Sequence, residues 1–167
     1  MFDGQKVSKS RIITSVDYSM VSMEAFEIYA TNHDIHVMDF VLKLDAYSYY
    51  MMNLLDYLIG NTDRHWGNWG FLVDNRTNQP IRLFDLMDLN QTFLAYDTPD
   101  GANCMTTGNR KMSQREAAVE AVKKIGLNQR AEIKDEWFEG REKEREMFWC
   151  RFGILKEQWN SHCLKQF

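Results

Sequence analysis

The strongest constraint in this chain is an apolar helical pattern that stops at a glycine and runs straight into a dense polar loop. Leu44, Tyr47, Met51, Leu54 and Leu58 step by three and four residues, the spacing of one buried helical face, and Tyr50, Leu55 and Ile59 widen it. The pattern predicts a central helix beginning near Ile35 or Lys43 and ending at Ile59. Gly60 stands where a left-handed residue closes such a helix. Directly after it, "NTDRHWGN" crowds acid, base and amide side chains into eight positions before the apolar "GFLVD".

The elements around this junction are readable. Ser22 caps a helix over "SMEAFEIYATNH", and residues 1–20 read as an irregular entry with a possible short strand at "RIITSV". "GFLVD" and "PIRLFDLMDL" read as two strands joined by the turn-rich "NRTNQ". "AYDTPDGANCMTTGN" reads as a loop. Ser113 with Glu116 forms a capping box for "QREAAVEAVKKI", which Gly126 ends. The tail from Arg130 to Trp159 reads as amphipathic helix, with "EGREKERE" as its solvated face. The expectation is one domain over residues 1–167, mainly α with a small β-hairpin at 59–93 and a helical part from 113.

Composition narrows the function classes. Aromatic residues make up 13% of the 167-residue chain and charged residues 26%, which is the balance of a folded domain. A net charge of −4 argues against direct nucleic-acid binding. Three cysteines without metal or disulfide spacing point to a reducing cytoplasm. No apolar run approaches the ~18 residues of a membrane span.

A loop–hairpin–loop unit returns its outer ends to one place, because antiparallel strands double back. Asp63, Asn68 and Asp88 are thereby expected around one point, and Asp85 and Asn90 flank the last of them. Two carboxylates and an amide oxygen are hard ligands suited to Mg²⁺, which keeps waters and substrate phosphates in its shell. The spacing from Asp63 to Asn68 matches D-x-x-x-x-N of protein-kinase catalytic loops, where the Asp takes the hydroxyl proton and the Asn binds metal. His65 is read mainly as a brace for the loop, with a base role as the alternative. Trp66 and Trp69 read as packing residues, and Arg64 is left undecided between an acidic partner and solvent.

"NTDRHWGNWGFLVD" followed by "LFDLMDLNQTF" resembles the catalytic region of HipA-like serine/threonine kinases, and "TSVDYSMVSMEAFEIYA" resembles the helical entry to their C-terminal lobe. The resemblance spans roughly residues 15–95. It implies a protein-kinase-like C-lobe that uses ATP and Mg²⁺ on a protein substrate. It also implies Asp63 as catalytic base, Asn68 as metal ligand and Asp88, in preference to Asp85, as the second ligand. Asn90 would lie beside the metal, and members of the family often act with a DNA-binding partner. The chain departs from the kinase pattern in having no G-x-G-x-x-G and no strand-borne Lys, since Lys6 and Lys9 lack strand context. The expectation is therefore a lobe completed by further chain or by a partner, with weak ATP binding and little activity by itself. The alternatives are a non-catalytic interaction module on a degenerate lobe and a phosphatidylinositol-kinase-like enzyme. The second lacks both the expected Asp-Phe-Gly and a basic membrane-facing patch.

Overall fold

A computed structural model describes residues 13–89, 91–93, 112–128 and 132–164. The described chain is mainly helical, with one three-stranded antiparallel sheet. In order it runs β1 (Tyr18–Ser22), α1 (Met23–Asn32), α2 (Val37–Ile59), β2 (Gly70–Asp74), β3 (Gln79–Leu83), α3 (Gln114–Ile125) and α4 (Glu142–Leu164).

The sheet corrects the expected hairpin, because a third strand is added on its outer edge. β1 pairs with β2 in the register Met20↔Leu72, Val21↔Phe71 and Ser22↔Gly70. Residues 13–16 of "RIITSV" are not strand, and the rest of that segment lies outside the described residues. Gly70 makes the pairing possible: a Cβ there would lie 2.0 Å from the Val21 carbonyl oxygen and 2.8 Å from Ser22 Cα. Ser22 then does two jobs. It ends β1, and its Oγ accepts the Ala25 amide at 3.2 Å to cap α1 as expected.

β2 and β3 are joined by the expected turn. Asp74 Oδ1 accepts the amides of Arg76 (2.8 Å) and Thr77 (3.2 Å), and Asn78 takes a left-handed φ of 55°. β3 stops at Leu83, short of the strand expected through Leu89, although the Phe84 amide still bonds Gly70 O in register at 2.8 Å.

α2 is the centre of the fold and packs against α3, α4 and β3. It is broken at Asp45 (φ −156°, ψ 67°), whose Oδ1 caps the second half through Ser48 N (3.2 Å) while Oδ2 accepts Leu83 N from β3 (3.1 Å). The single apolar face expected of this helix is also corrected. Tyr47 is 63% exposed and Met51 36%, whereas Tyr49, Tyr50, Met52, Leu54, Tyr57 and Leu58 are buried. Past the Asp45 break the helix is enclosed on most sides, so burial does not follow one stripe. Gly60 closes it at φ 60°, ψ 48°, the left-handed cap expected.

The capping box of α3 is present, with Glu116 Oε2 accepting Ser113 N at 2.8 Å and Ser113 Oγ accepting Glu116 N at 3.2 Å. Its small residues Ala117, Ala118 and Ala121 are buried in the core beside Val122. The tail is helical only from Glu142. Before it lie a 3-10 turn at Asp135–Phe138 and Gly140 at φ 69°, where continuous helix was expected. α4 buries Met147, Phe148, Arg151 and Leu155 on one side. Arg151 Nη1 donates to the Tyr57 and Leu58 carbonyls (3.2 and 3.5 Å), which serves the C-terminal carbonyls of α2. The loop expected at 95–109 lies outside the described residues. Among those described, no helix is long and apolar enough to cross a membrane.

Candidate active site

The polar loop is suspended between the end of α2 and the returning strand. Three backbone bonds bring its two sides together: Phe93 N to Ile59 O (3.0 Å), Thr62 N to Gln91 O (3.4 Å) and Phe84 N to Gly70 O (2.8 Å). The outer ends of the loop–hairpin unit do lie side by side.

Arg64 holds the unit from within. It is 6% exposed, and its Nε and Nη2 each donate to the carboxylate of Asp56, itself 3% exposed, at 2.9 Å. Its Nη1 donates to Asn68 O at 2.7 Å and to Met87 O at 2.8 Å. One guanidinium thus ties the core helix, the end of the loop and the residue before Asp88. Arg suits this place because its planar fork can serve a carboxylate with two bonds and still present further donors.

Asn61, fully buried, adds a second tie. Its Nδ2 donates to Asp56 Oδ1 at 3.0 Å and its Oδ1 accepts Asp63 N at 3.3 Å. Its carbonyl accepts from Gln114 Nε2, so the first residue of α3 also holds the loop. Arg64, left undecided by the sequence, takes the acidic partner, and Asp56, Asn61 and Gln114 are the framework residues that sequence reading missed. One signal was available: Asp56 is an acid within the most apolar helix, four residues before its glycine cap.

Asp63 and Asn68 meet directly. Asn68 Nδ2 donates to Asp63 O at 2.8 Å and lies 3.4 Å from Asp63 Oδ2, and Asn68 is 8% exposed while Asp63 keeps a half-exposed carboxylate. With the amide nitrogen committed to Asp63, the Oδ1 of Asn68 is the atom left to act as a ligand. His65 is the N-cap of the short 3-10 turn Trp66–Asn68, where its Nδ1 accepts the Gly67 amide at 3.0 Å. Trp69 is buried at 5% and Trp66 packs against the core, as expected of both.

The two candidate metal acids differ in their surroundings. Asp85 Oδ1 accepts from Arg82 Nη1 at 2.6 Å, a charge-assisted bond that occupies it. Asp88 is exposed, takes a left-handed φ of 54° and follows the Met87 carbonyl held by Arg64. Asn90 lies outside the described residues. Among the described residues no three His, Cys, Asp or Glu side chains gather closely enough to hold a metal ion by themselves. A divalent ion at this place would have to draw on the Asn68 amide, the carboxylates and oxygens of a bound substrate, the sparse shell that Mg²⁺ accepts. The cavity beside the loop, bordered by Tyr47, Gly70, Arg82 and Leu86, has a volume of about 150 Å³. That is below the ~300–1,000 Å³ usual for small-molecule sites.

A scan against protein-family models finds no match for this chain, and neither a search of curated proteins nor one of solved structures finds any.

Proposed function

We propose that residues 59–93 form the catalytic loop and metal-binding hairpin of an ATP-dependent phosphotransferase, a protein-kinase-like C-lobe of the HipA-like serine/threonine type. The observation that carries this reading is the double engagement of Arg64 Nη1 with Asn68 O and Met87 O, 2.7 and 2.8 Å. It fastens the end of the Asp63–Asn68 loop against the hairpin exit that bears Asp88, which supports the reading because phosphoryl transfer needs a base and its metal ligands held together.

In this reading Asp63 orients the attacking hydroxyl and accepts its proton as the oxygen bonds to the γ-phosphorus of ATP and the bond to the β-phosphate oxygen breaks. Asn68 Oδ1 and the Asp88 carboxylate would hold Mg²⁺, whose role when bound is to neutralise charge on the phosphates. The Arg82 bond to Asp85 supports Asp88 over Asp85 as the ligand. Phosphoryl-transfer enzymes contribute mainly positioning and electrostatics. The sequence carries no G-x-G-x-x-G, so a further lobe or partner chain would supply the nucleotide site and this chain by itself would bind nucleotide weakly.

The test is transfer of label from γ-labelled ATP to protein, with and without candidate partner chains, in the native protein and in Asp63→Ala. Little transfer is expected from the chain alone, and transfer in the complete assembly that Asp63→Ala removes. Transfer of native extent by the Asp63→Ala assembly would refute the assignment of Asp63. Absence of transfer and of Mg²⁺–ATP binding in the complete assembly would favour a non-catalytic interaction module.

A further inference from the structure

His65 braces the loop's turn and also lies beside Asp63. Its Nδ1 accepts the Gly67 amide at 3.0 Å. A ring nitrogen that accepts a hydrogen bond carries no hydrogen, so the neutral imidazole must carry its proton on Nε2. That Nε2 faces Asp63, 4.0 Å from Oδ1.

Gly67 also sets where the ring lies. A Cβ at position 67 would stand 2.9 Å from His65 Cε1 and 3.1 Å from Nδ1, with Glu24 Oε2 at 3.7 Å on the α1 side. Any side chain there pushes the imidazole out of its place. The backbone beneath is fixed as well, by Asn68 N donating to His65 O at 2.9 Å. Asp63 is consequently flanked on both oxygens, by Asn68 Nδ2 at 3.4 Å from Oδ2 and by His65 Nε2 at 4.0 Å from Oδ1. Four ångströms is too long for a hydrogen bond, and the half-exposed Asp63 carboxylate is the partner with room to turn toward the ring. Such bonds commonly tighten only when substrate is present.

We infer that His65 is a positioning residue for Asp63: Gly67 fixes the tautomer and place of the ring, and the Nε2–H so directed steers the Asp63 carboxylate. This rests on the reading of Asp63 as the base, and it deepens that reading by naming what orients the base.

The test is nitrogen NMR on the full chain with ¹⁵N-labelled histidine, the rings held neutral and the His65 signals identified by their loss in His65→Asn. The native protein is expected to show the Nε2–H tautomer at His65, and a dominant Nδ1–H tautomer would overturn the inference without any variant having to fold. Gly67→Ala is expected to shift His65 toward a mixture of tautomers, and an unchanged spectrum would remove Gly67 from the device. Two substitutions separate steering from bracing. His65→Asn keeps an acceptor for Gly67, but its amide donors stop at the ring's Cδ2 position, short of the Nε2 that faces Asp63, and His65→Gln places a donor near the Nε2 position. The Asp63 carboxyl carbon resonance is expected to shift in the Asn variant and to return toward native in the Gln variant. If neither variant moves it, His65 only braces the turn. None of these readouts needs nucleotide, so their failure is distinct from a failure of ATP binding or transfer.

Discussion

Arg64 and Asp56 form a two-bond ion pair in the interior, Nε to Oδ2 and Nη2 to Oδ1 at 2.9 Å each, with both residues less than a tenth exposed. The pair is what lets a polar loop sit against an apolar core, because the remaining guanidinium donors satisfy the carbonyls of Asn68 and Met87. Removing one partner leaves the other charged and buried. Arg64→Ala or Asp56→Ala should destabilise the fold by roughly 3–5 kcal/mol. Urea denaturation of each variant measures this, and a loss below ~1 kcal/mol would show the pair to be dispensable.

Gly70 is where β1 closes on β2. With a Cβ position only 2.0 Å from the Val21 carbonyl oxygen, Gly70→Ala has no room unless the strands part. The expected outcome is a loss of about 1–3 kcal/mol, as for other overpacked sites. Faster hydrogen exchange at Val21 and neighbouring β1 amides should accompany it. Native protection of those amides in the variant would contradict the pairing of Val21 with Phe71 and of Ser22 with Gly70.

Asp45 serves both the second half of α2 and the edge of β3 through its two oxygens. Asp45→Ala removes a helix cap and the acceptor for Leu83 N, and should destabilise by about 1–2 kcal/mol. Asp45→Asn keeps an oxygen for one of the two bonds and should lose less. Equal losses in thermal or urea unfolding would indicate that only the charge matters.

Glu116 is held below the usual carboxylate range, first by the Ser113 amide and then by the Ser113 hydroxyl, which both donate to it. A carboxylate whose pKa is lowered by folding stabilises the native state at pH values above its unfolded pKa. That contribution is lost as pH falls through the depressed folded value. Glu116→Gln should therefore flatten part of the acid limb of the stability–pH curve by lowering stability at neutral pH, with the variant and native curves converging in acid. A parallel acid limb in the variant would remove the capping box from the acid sensitivity of α3.

The local parts of this fold were legible in the sequence because their causes are local. Ser22, Gly60, the Ser113–Glu116 box and Gly126 each act within a few residues of the backbone they cap. What was not legible depends on partners far along the chain. β1 is a strand because Gly70 lets it approach, and nothing within "YSMVS" announces that. Tyr47 and Met51 fit a helical stripe, yet they are exposed because α2 is interrupted at Asp45 and enclosed by α3, α4 and β3 beyond it. In the candidate site, the Asp63–Asn68 pairing and the return of the hairpin were readable from spacing and topology. Which partner Arg64 takes was not, since that is settled by Asp56 on the core side and Met87 across the hairpin.

In the proposed function, Asn68 and Asp88 would hold a divalent ion with nucleotide, beside Asp63. The most direct measurement is paramagnetic broadening of the protein's NMR signals by Mn²⁺ with a non-hydrolysable ATP analogue. Broadening is expected to centre on the Asn68 side chain and the Asp88 backbone, to be abolished by Asp88→Ala and to be retained in Asp85→Ala. Broadening that follows Asp85, or that centres away from residues 59–93, would contradict the claim.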